Sequence, residues 1–199
     1  MNYLLFTLIG YLSGSILYAY WIPKIFCHKD ICALSPDGNP GTANAYTYGG
    51  FFVGTAALIL ELFKGFIPVF VASLYLDMNS WLYSLVLIAP VLGHAFPIFG
   101  IKKGGKAIAT SFGVLLGIYP VTLPVFFLIV TYISFSLILV IRPHLFRSII
   151  TFGVFFLLTF FFVPINSIRL AAFGISAIVT VRHLHAYEGE TMTMSLLRP

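Results

Sequence analysis

The stretch Ser111-Phe-Gly-Val-Leu-Leu-Gly-Ile-Tyr-Pro120-Val-Thr-Leu-Pro124-Val-Phe-Phe-Leu-Ile-Val-Thr-Tyr-Ile-Ser-Phe-Ser-Leu-Ile-Leu-Val-Ile141 carries no formal charge over 31 consecutive positions. A helix rises about 1.5 Å per residue, so about 20 apolar residues cross a hydrocarbon core roughly 30 Å thick. The stretch is too long for one ordinary crossing. Pro120 and Pro124 stand near its middle, where a proline kinks a helix or marks a tight turn between two. We read two short spans meeting at these prolines.

Working outward, the same pattern fills most of the chain. Asn2 to Pro23 is uncharged, and it is too long and lacks the basic start expected of a cleaved signal peptide. Gly49 to Leu76 is interrupted only by Glu61 and Lys64. Asp77, Asn79 and Ser80 make a turn before Trp81 to Gly100, and Ser148 to Val163 and Ile168 to Val181 complete the series. The sum is seven spans in an all-α integral membrane protein, with residues 1–199 forming a single transmembrane domain. Composition agrees: 60% of residues are apolar and 9% charged, against about 45–50% and 25% in soluble domains. A mean hydropathy of +1.02 excludes a disordered chain and a soluble nucleic-acid-binding module. Two cysteines, Cys27 and Cys32, are too few to frame a secreted scaffold.

Charge placement orients the spans. With the C-terminus cytoplasmic, the inner loops hold Lys24, Lys29, Lys102, Lys103, Lys106, Arg142, Arg147, Arg182 and Arg198. The outer loops hold only Arg169, and Lys64 lies within a span. This asymmetry follows the positive-inside rule and puts the N-terminus outside. The net charge of +5 then serves an anionic lipid surface rather than nucleic acid. The pairs Gly10/Gly14 and Gly50/Gly54 are read as close helix-packing positions. No internal repeat supports an inverted-repeat transporter.

Four polar stretches remain, all at or near the cytoplasmic face. Ser35-Pro-Asp-Gly-Asn-Pro-Gly-Thr-Ala-Asn44 has the glycines and small donors of a backbone anion nest, and also of an ordinary tight loop. Leu60-Glu-Leu-Phe-Lys-Gly65 puts Glu61 and Lys64 three apart on one helix face, where they can pair. Gly93-His-Ala-Phe-Pro97, followed by Lys102-Lys-Gly-Gly-Lys-Ala-Ile-Ala-Thr110, joins flexible backbone to positive charge but lacks Walker spacing. Val181-Arg-His-Leu-His185 ends the last span. His183 and His185 do not share a helix face, and no second thiol pair accompanies Cys27 and Cys32, so no metal site is expected. The residues alone reach an anion-binding pocket at a membrane face. An enzyme, a binding-only protein and a small transporter all stay open at this level.

These four motifs, in this order and across nearly the whole chain, resemble the bacterial acyl-phosphate:glycerol-3-phosphate acyltransferases (the PlsY family). The resemblance implies a seven-helix cell-membrane enzyme without cofactor, active on the cytoplasmic side and able to work as a monomer. Its partners would be the bilayer, acyl phosphate and glycerol 3-phosphate, with lysophosphatidic acid as product. Carried over by motif, Asp37, Asn39, His94, Lys103 and His183 are the expected catalytic positions. Gly38, Gly41, Thr42, Asn44, Glu61, Lys64, Gly104, Gly105, Lys106, Thr110 and Arg182 are the expected substrate- and phosphate-binding ones. Several positions depart from the family pattern. Asp37 replaces a serine, Cys32 an arginine and Ala107 a glycine, Glu61 stands for the usual Asp, and Leu184-His-Ala186 replaces a tail Arg-Glu-Asn. These changes leave open another acyl donor or acceptor, or a paralogue without catalysis. A carboxylate about 4 Å from a phosphate oxygen is repelled by roughly 4 kcal/mol at an effective dielectric near 20. Asp37 must therefore pair with a lysine, take up a proton or turn away, unless it serves as a general base.

Overall fold

In the computed structural model, which describes residues 2–99, 104–187 and 189–197, the apolar runs are helices. In chain order they are α1 (Tyr3–Ser15), α2 (Tyr18–Phe26), α3 (Ile31–Leu34), α4 (Thr42–Gly49), α5 (Phe51–Tyr75), α6 (Tyr83–Ala95), α7 (Ile108–Gly117) and α8 (Leu123–Ile133). A π-helical turn, Ser134–Ile138, leads into strand β1 (Leu139–Arg142). The chain ends in α9 (His144–Phe162), α10 (Asn166–Leu184) and strand β2 (Thr193–Leu196). Among the described residues, four helical segments are long and apolar enough to cross a bilayer: Tyr3–Phe26, Phe51–Tyr75, His144–Phe162 and Asn166–Leu184. Three shorter apolar helices, 83–95, 108–117 and 123–138, complete the bundle.

The prolines divide the long uncharged run as read from the sequence. Helix α7 stops at Gly117, a turn carries Pro120, and Pro124 sits in the first turn of α8, where its missing N–H costs no bond. The first span is less regular than its sequence suggests. It breaks at Ile16–Leu17, both outside the helical conformation, and restarts as α2. The β1–β2 pair, antiparallel with Leu139 opposite Leu196 and Arg142 opposite Thr193, was not legible in the sequence either.

Bulky side chains divide between a dry core and a lipid-facing shell. Val69, Leu87, Val114, Leu128, Phe152, Phe155 and Ile175 are completely buried. Phe52, Phe126, Phe161 and Leu170 point outward, the arrangement expected when hydrocarbon is the solvent. Close approach comes from small residues. A Cβ on Gly14 would strike the Pro90 backbone, and one on Gly65 or Gly113 would strike backbone across the α5–α7 contact. Of the two paired motifs read as packing positions, Gly54 abuts Tyr46. Gly50 does not pack: it holds φ +85 in the turn between α4 and α5, with open space where a Cβ would stand.

Candidate active site

The break in the first span is closed by the two charges inside the second. Glu61 and Lys64 on α5 are 2.7 Å apart, with side chains 0% and 1% exposed. Lys64 Nζ donates to the Ile16 carbonyl at 2.7 Å, at the C-terminal end of α1, while the Ala19 amide at the start of α2 donates to Glu61 Oε1 at 3.1 Å. A cation thus meets the carbonyl end of one helix and an anion the amide end of the next, each satisfying a backbone group that the break exposes. Glu61 Oε2 also takes His94 Nδ1 at 2.9 Å and Thr110 Oγ1 at 3.3 Å. The four side chains join α5, α6 and α7 beneath the polar end of the bundle.

Above this layer lies the loop of the first motif. Gly38 adopts φ +56, open to glycine at no steric cost. A Cβ at Gly41 would run into the Asn39 side chain. The loop closes on its own carboxylate in the tight-turn form that the sequence also allowed. Asp37 Oδ1 accepts from the Asn39 amide at 3.1 Å and from Asn44 Nδ2 at 2.9 Å, and Oδ2 accepts from Lys106 Nζ at 2.9 Å. Partial burial works against the charged carboxylate. The bonds from Lys106, Asn44 and the Asn39 amide outweigh it and bring the group from 3.8 down to about 2. Of the alternatives open for Asp37, the structure therefore has it paired with a lysine. A carboxyl that acidic is a weak base at neutral pH.

The third and fourth motifs meet across the bundle. The Gly105 amide donates to the His94 carbonyl at 3.1 Å, and the His94 ring lies where a Cβ on Gly105 would sit. Arg182 donates through Nε to the Gly105 carbonyl at 3.2 Å and through its terminal nitrogen to the Gly104 carbonyl, while its guanidinium lies 5.5 Å from the Phe96 ring centre. His183 Nδ1 donates to the Val179 carbonyl at 2.8 Å. That bond fixes the tautomer and leaves Nε2 with its lone pair. Nε2 is buried and lacks a hydrogen-bond partner among the described residues. Thr42 borders the inner cavity, and Lys103 lies outside the described residues.

Two cavities open here and share Asp37, Asn39, Lys106 and His144 along their common wall. One, about 580 Å³, is lined by Lys106, His144, Arg182, His183 and His185. The other, about 550 Å³, runs inward past Thr42, Asn44, Glu61 and His94 to the apolar Leu58, Leu62, Ile108 and Phe112. Sequence reading missed His144. It stacks on His183 with ring centres 5.5 Å apart, and the Tyr132 hydroxyl lies 3.3 Å from its Nε2. A histidine after Pro143, among arginines read only as topogenic charge, carried no distinguishing signal. Tyr132 and Phe112 were hidden in apolar runs.

The comparisons with known proteins agree with this geometry. Residues 4–189 match the family model described as glycerol-3-phosphate acyltransferase. A glycerol-3-phosphate acyltransferase of Macrococcus caseolyticus is 35% identical over 184 residues, 92% of this chain and 90% of the relative. One from Thermotoga petrophila is 43% identical over 115 residues, a match confined to 58% of either chain. Two crystal structures of PlsY, an integral membrane glycerol 3-phosphate acyltransferase, superpose at 28% identity over 93% of this chain. The glycerol 3-phosphate form gives a TM-score of 0.80 over 90% of its length, and the lysophosphatidic acid form 0.77 over 89%. With its apolar helical bundle, its buried ion pair and its paired cavities, this chain belongs to the PlsY-type family of integral membrane glycerol-3-phosphate acyltransferases.

Proposed function

We propose that this glycerol-3-phosphate acyltransferase takes its acyl group from an acyl phosphate and carries the reaction at the shared wall of the two cavities. The observation that carries the reading is that wall: a basic cavity and a partly apolar one meet at Lys106 and His144. The acyl chain occupies the apolar cavity, with its phosphate at Lys106, Asn44 and the Asn39 amide. Glycerol 3-phosphate enters the basic cavity toward Arg182. The acceptor hydroxyl oxygen attacks the acyl carbonyl carbon. The carbon–oxygen bond to phosphate breaks, inorganic phosphate leaves, and the hydroxyl proton passes to His183 Nε2. The donor is already activated, so positioning and charge stabilisation supply most of the rate.

Asp37 holds Lys106 and the loop in place until a phosphate displaces it. His94, Glu61, Lys64 and Thr110 are positioning residues: they fix the Gly104–Gly105 backbone and the α1–α2 junction. We assign seven crossings, an external N-terminus and a cytoplasmic site to residues 1–199 acting as one domain. Four long and three shorter apolar helices and the grouping of nine Lys and Arg residues on one side against Arg169 on the other support this topology.

Labelling tests the orientation and kinetics test the chemistry. An impermeant maleimide should modify Lys29→Cys and spare Arg169→Cys in inside-out vesicles, both in a chain without Cys27 and Cys32. The reverse pattern overturns the topology. Apolar cavity and donor are linked: an acyl phosphate with a long chain should outcompete a two-carbon one by at least about a hundredfold in kcat/KM, since each buried methylene contributes about 0.8 kcal/mol. Equal use of both overturns the placement of the chain.

A further inference from the structure

We propose that the two-stranded β1–β2 sheet is a second contact with the lipid surface: its more apolar face lies in the headgroup layer at the end of the bundle that carries the site. The inference rests on membrane insertion and is independent of the catalytic assignments. Helix α8 presents Phe126, Ile129 and Ile133 outward, and the same stripe continues through Leu137 and Ile138, both about half exposed. It does not stop where the helix ends. The strand register puts Leu196 opposite Leu139 and Met194 opposite Ile141, and directly opposed side chains share one face of a sheet. On this face Leu196 is 77% exposed, Met194 50% and Leu139 37%, while Ile141 is buried against the bundle. The other face carries exposed Thr193 and Ser195 on β2 beside Arg142 on β1, with Val140 buried opposite Ser195.

The lipid-facing surface of α8 therefore runs without interruption onto β2, and bilayer is the occupant that covers the rest of that surface. Depth follows from the backbone. A two-stranded sheet has edges whose N–H and C=O groups hydrocarbon cannot satisfy, so the pair cannot lie among the acyl tails. In the headgroup layer water and polar lipid groups meet those edges, the apolar face points inward, and Arg142 reaches anionic headgroups. The contact bears on the site because β1 leads through Pro143 into His144, and Glu190, just ahead of β2, borders the basic cavity.

Depth-resolved quenching tests this. In a Trp21→Phe/Trp81→Phe chain, single tryptophans are placed at Leu196, Met194 or Ser195, all exposed positions, and the protein is reconstituted in vesicles of phosphatidylcholine and phosphatidylglycerol. Lipids brominated near the headgroup end of the tail should quench Leu196→Trp and Met194→Trp at least twofold more than Ser195→Trp. They should also quench them more than lipids brominated near the methyl end do. Equal quenching on both faces, or stronger quenching by the deep bromines, overturns the proposal.

Discussion

Replacing Glu61 with Gln is the sharpest test of how the bundle is held. The substitution keeps the shape but removes the charge that faces Lys64 at 2.7 Å, in a place where neither side chain reaches solvent. Breaking a buried pair from one side costs about 3–5 kcal/mol, because the remaining charge has no compensation. An isolated pair would be nearly neutral to remove altogether, or even worth about 1–4 kcal/mol of added stability. This pair is not isolated. In the Glu61→Leu/Lys64→Met chain, the Ala19 amide and the Ile16 carbonyl lose their partners, at about 1–3 kcal/mol each. The losses exceed the gain, so the double variant should stay about 2 kcal/mol below wild type while recovering about half the cost of Glu61→Gln. Unfolding in mixed micelles, titrated with sodium dodecyl sulfate and followed by circular dichroism, measures all three chains. A double variant as stable as wild type would refute the idea that the pair caps the broken first span.

Further outcomes follow from the loop and its lysine. Lys106→Ala should raise the KM for acyl phosphate about tenfold to a hundredfold with little loss of stability, since a charge-assisted bond contributes about 1.5–3 kcal/mol. An unchanged KM removes Lys106 from the phosphate site. Asp37→Ser should lower KM for the phosphate substrate, because it removes a carboxylate already bonded to Lys106 at 2.9 Å, and a raised KM contradicts displacement. The Asp37 carboxyl is depressed from 3.8 to about 2, so its stabilisation is complete above the unfolded value and fades as pH falls through the folded one. The stability difference between wild type and Asp37→Asn should accordingly be flat from pH 5 to 8 and shrink between about pH 4 and 2; thermal unfolding across that range reads it directly.

The sequence carried the membrane class, the approximate limits of the helices and the division of the 111–141 run, because hydrocarbon imposes a length and forbids charge. Long-range consequences were out of its reach. The break at Ile16–Leu17 follows directly on Ser13-Gly14-Ser15, a weak local signal inside an uncharged run, and its partners Glu61 and Lys64 lie over 40 positions away. The first polar loop was legible as a tight, glycine-rich turn, yet the partner of its carboxylate was not: Asp37 read as a problem for anion binding until Lys106, distant in the chain, came within 2.9 Å. His94 was an expected catalytic position by motif, but its bond from Nδ1 to Glu61, 33 positions earlier, was not legible. The buried Nε2 of His183 lacks a hydrogen-bond partner among the described residues, while its Nδ1 is held by the Val179 carbonyl one turn earlier. The β1–β2 pair escaped because two four-residue segments some fifty positions apart carry no periodicity long enough to read.

Product stoichiometry in a single reconstituted preparation tests the central claim most directly. Wild type and His183→Gln, each in nanodiscs, receive a long-chain acyl phosphate with glycerol 3-phosphate, and lysophosphatidic acid and inorganic phosphate are counted together. Wild type should form the two products one for one, and His183→Gln should do so about a hundredfold to ten-thousandfold more slowly, the usual loss when a general base is removed. Phosphate released without lysophosphatidic acid, or a His183→Gln rate equal to wild type, would contradict acyl transfer at the wall between the two cavities.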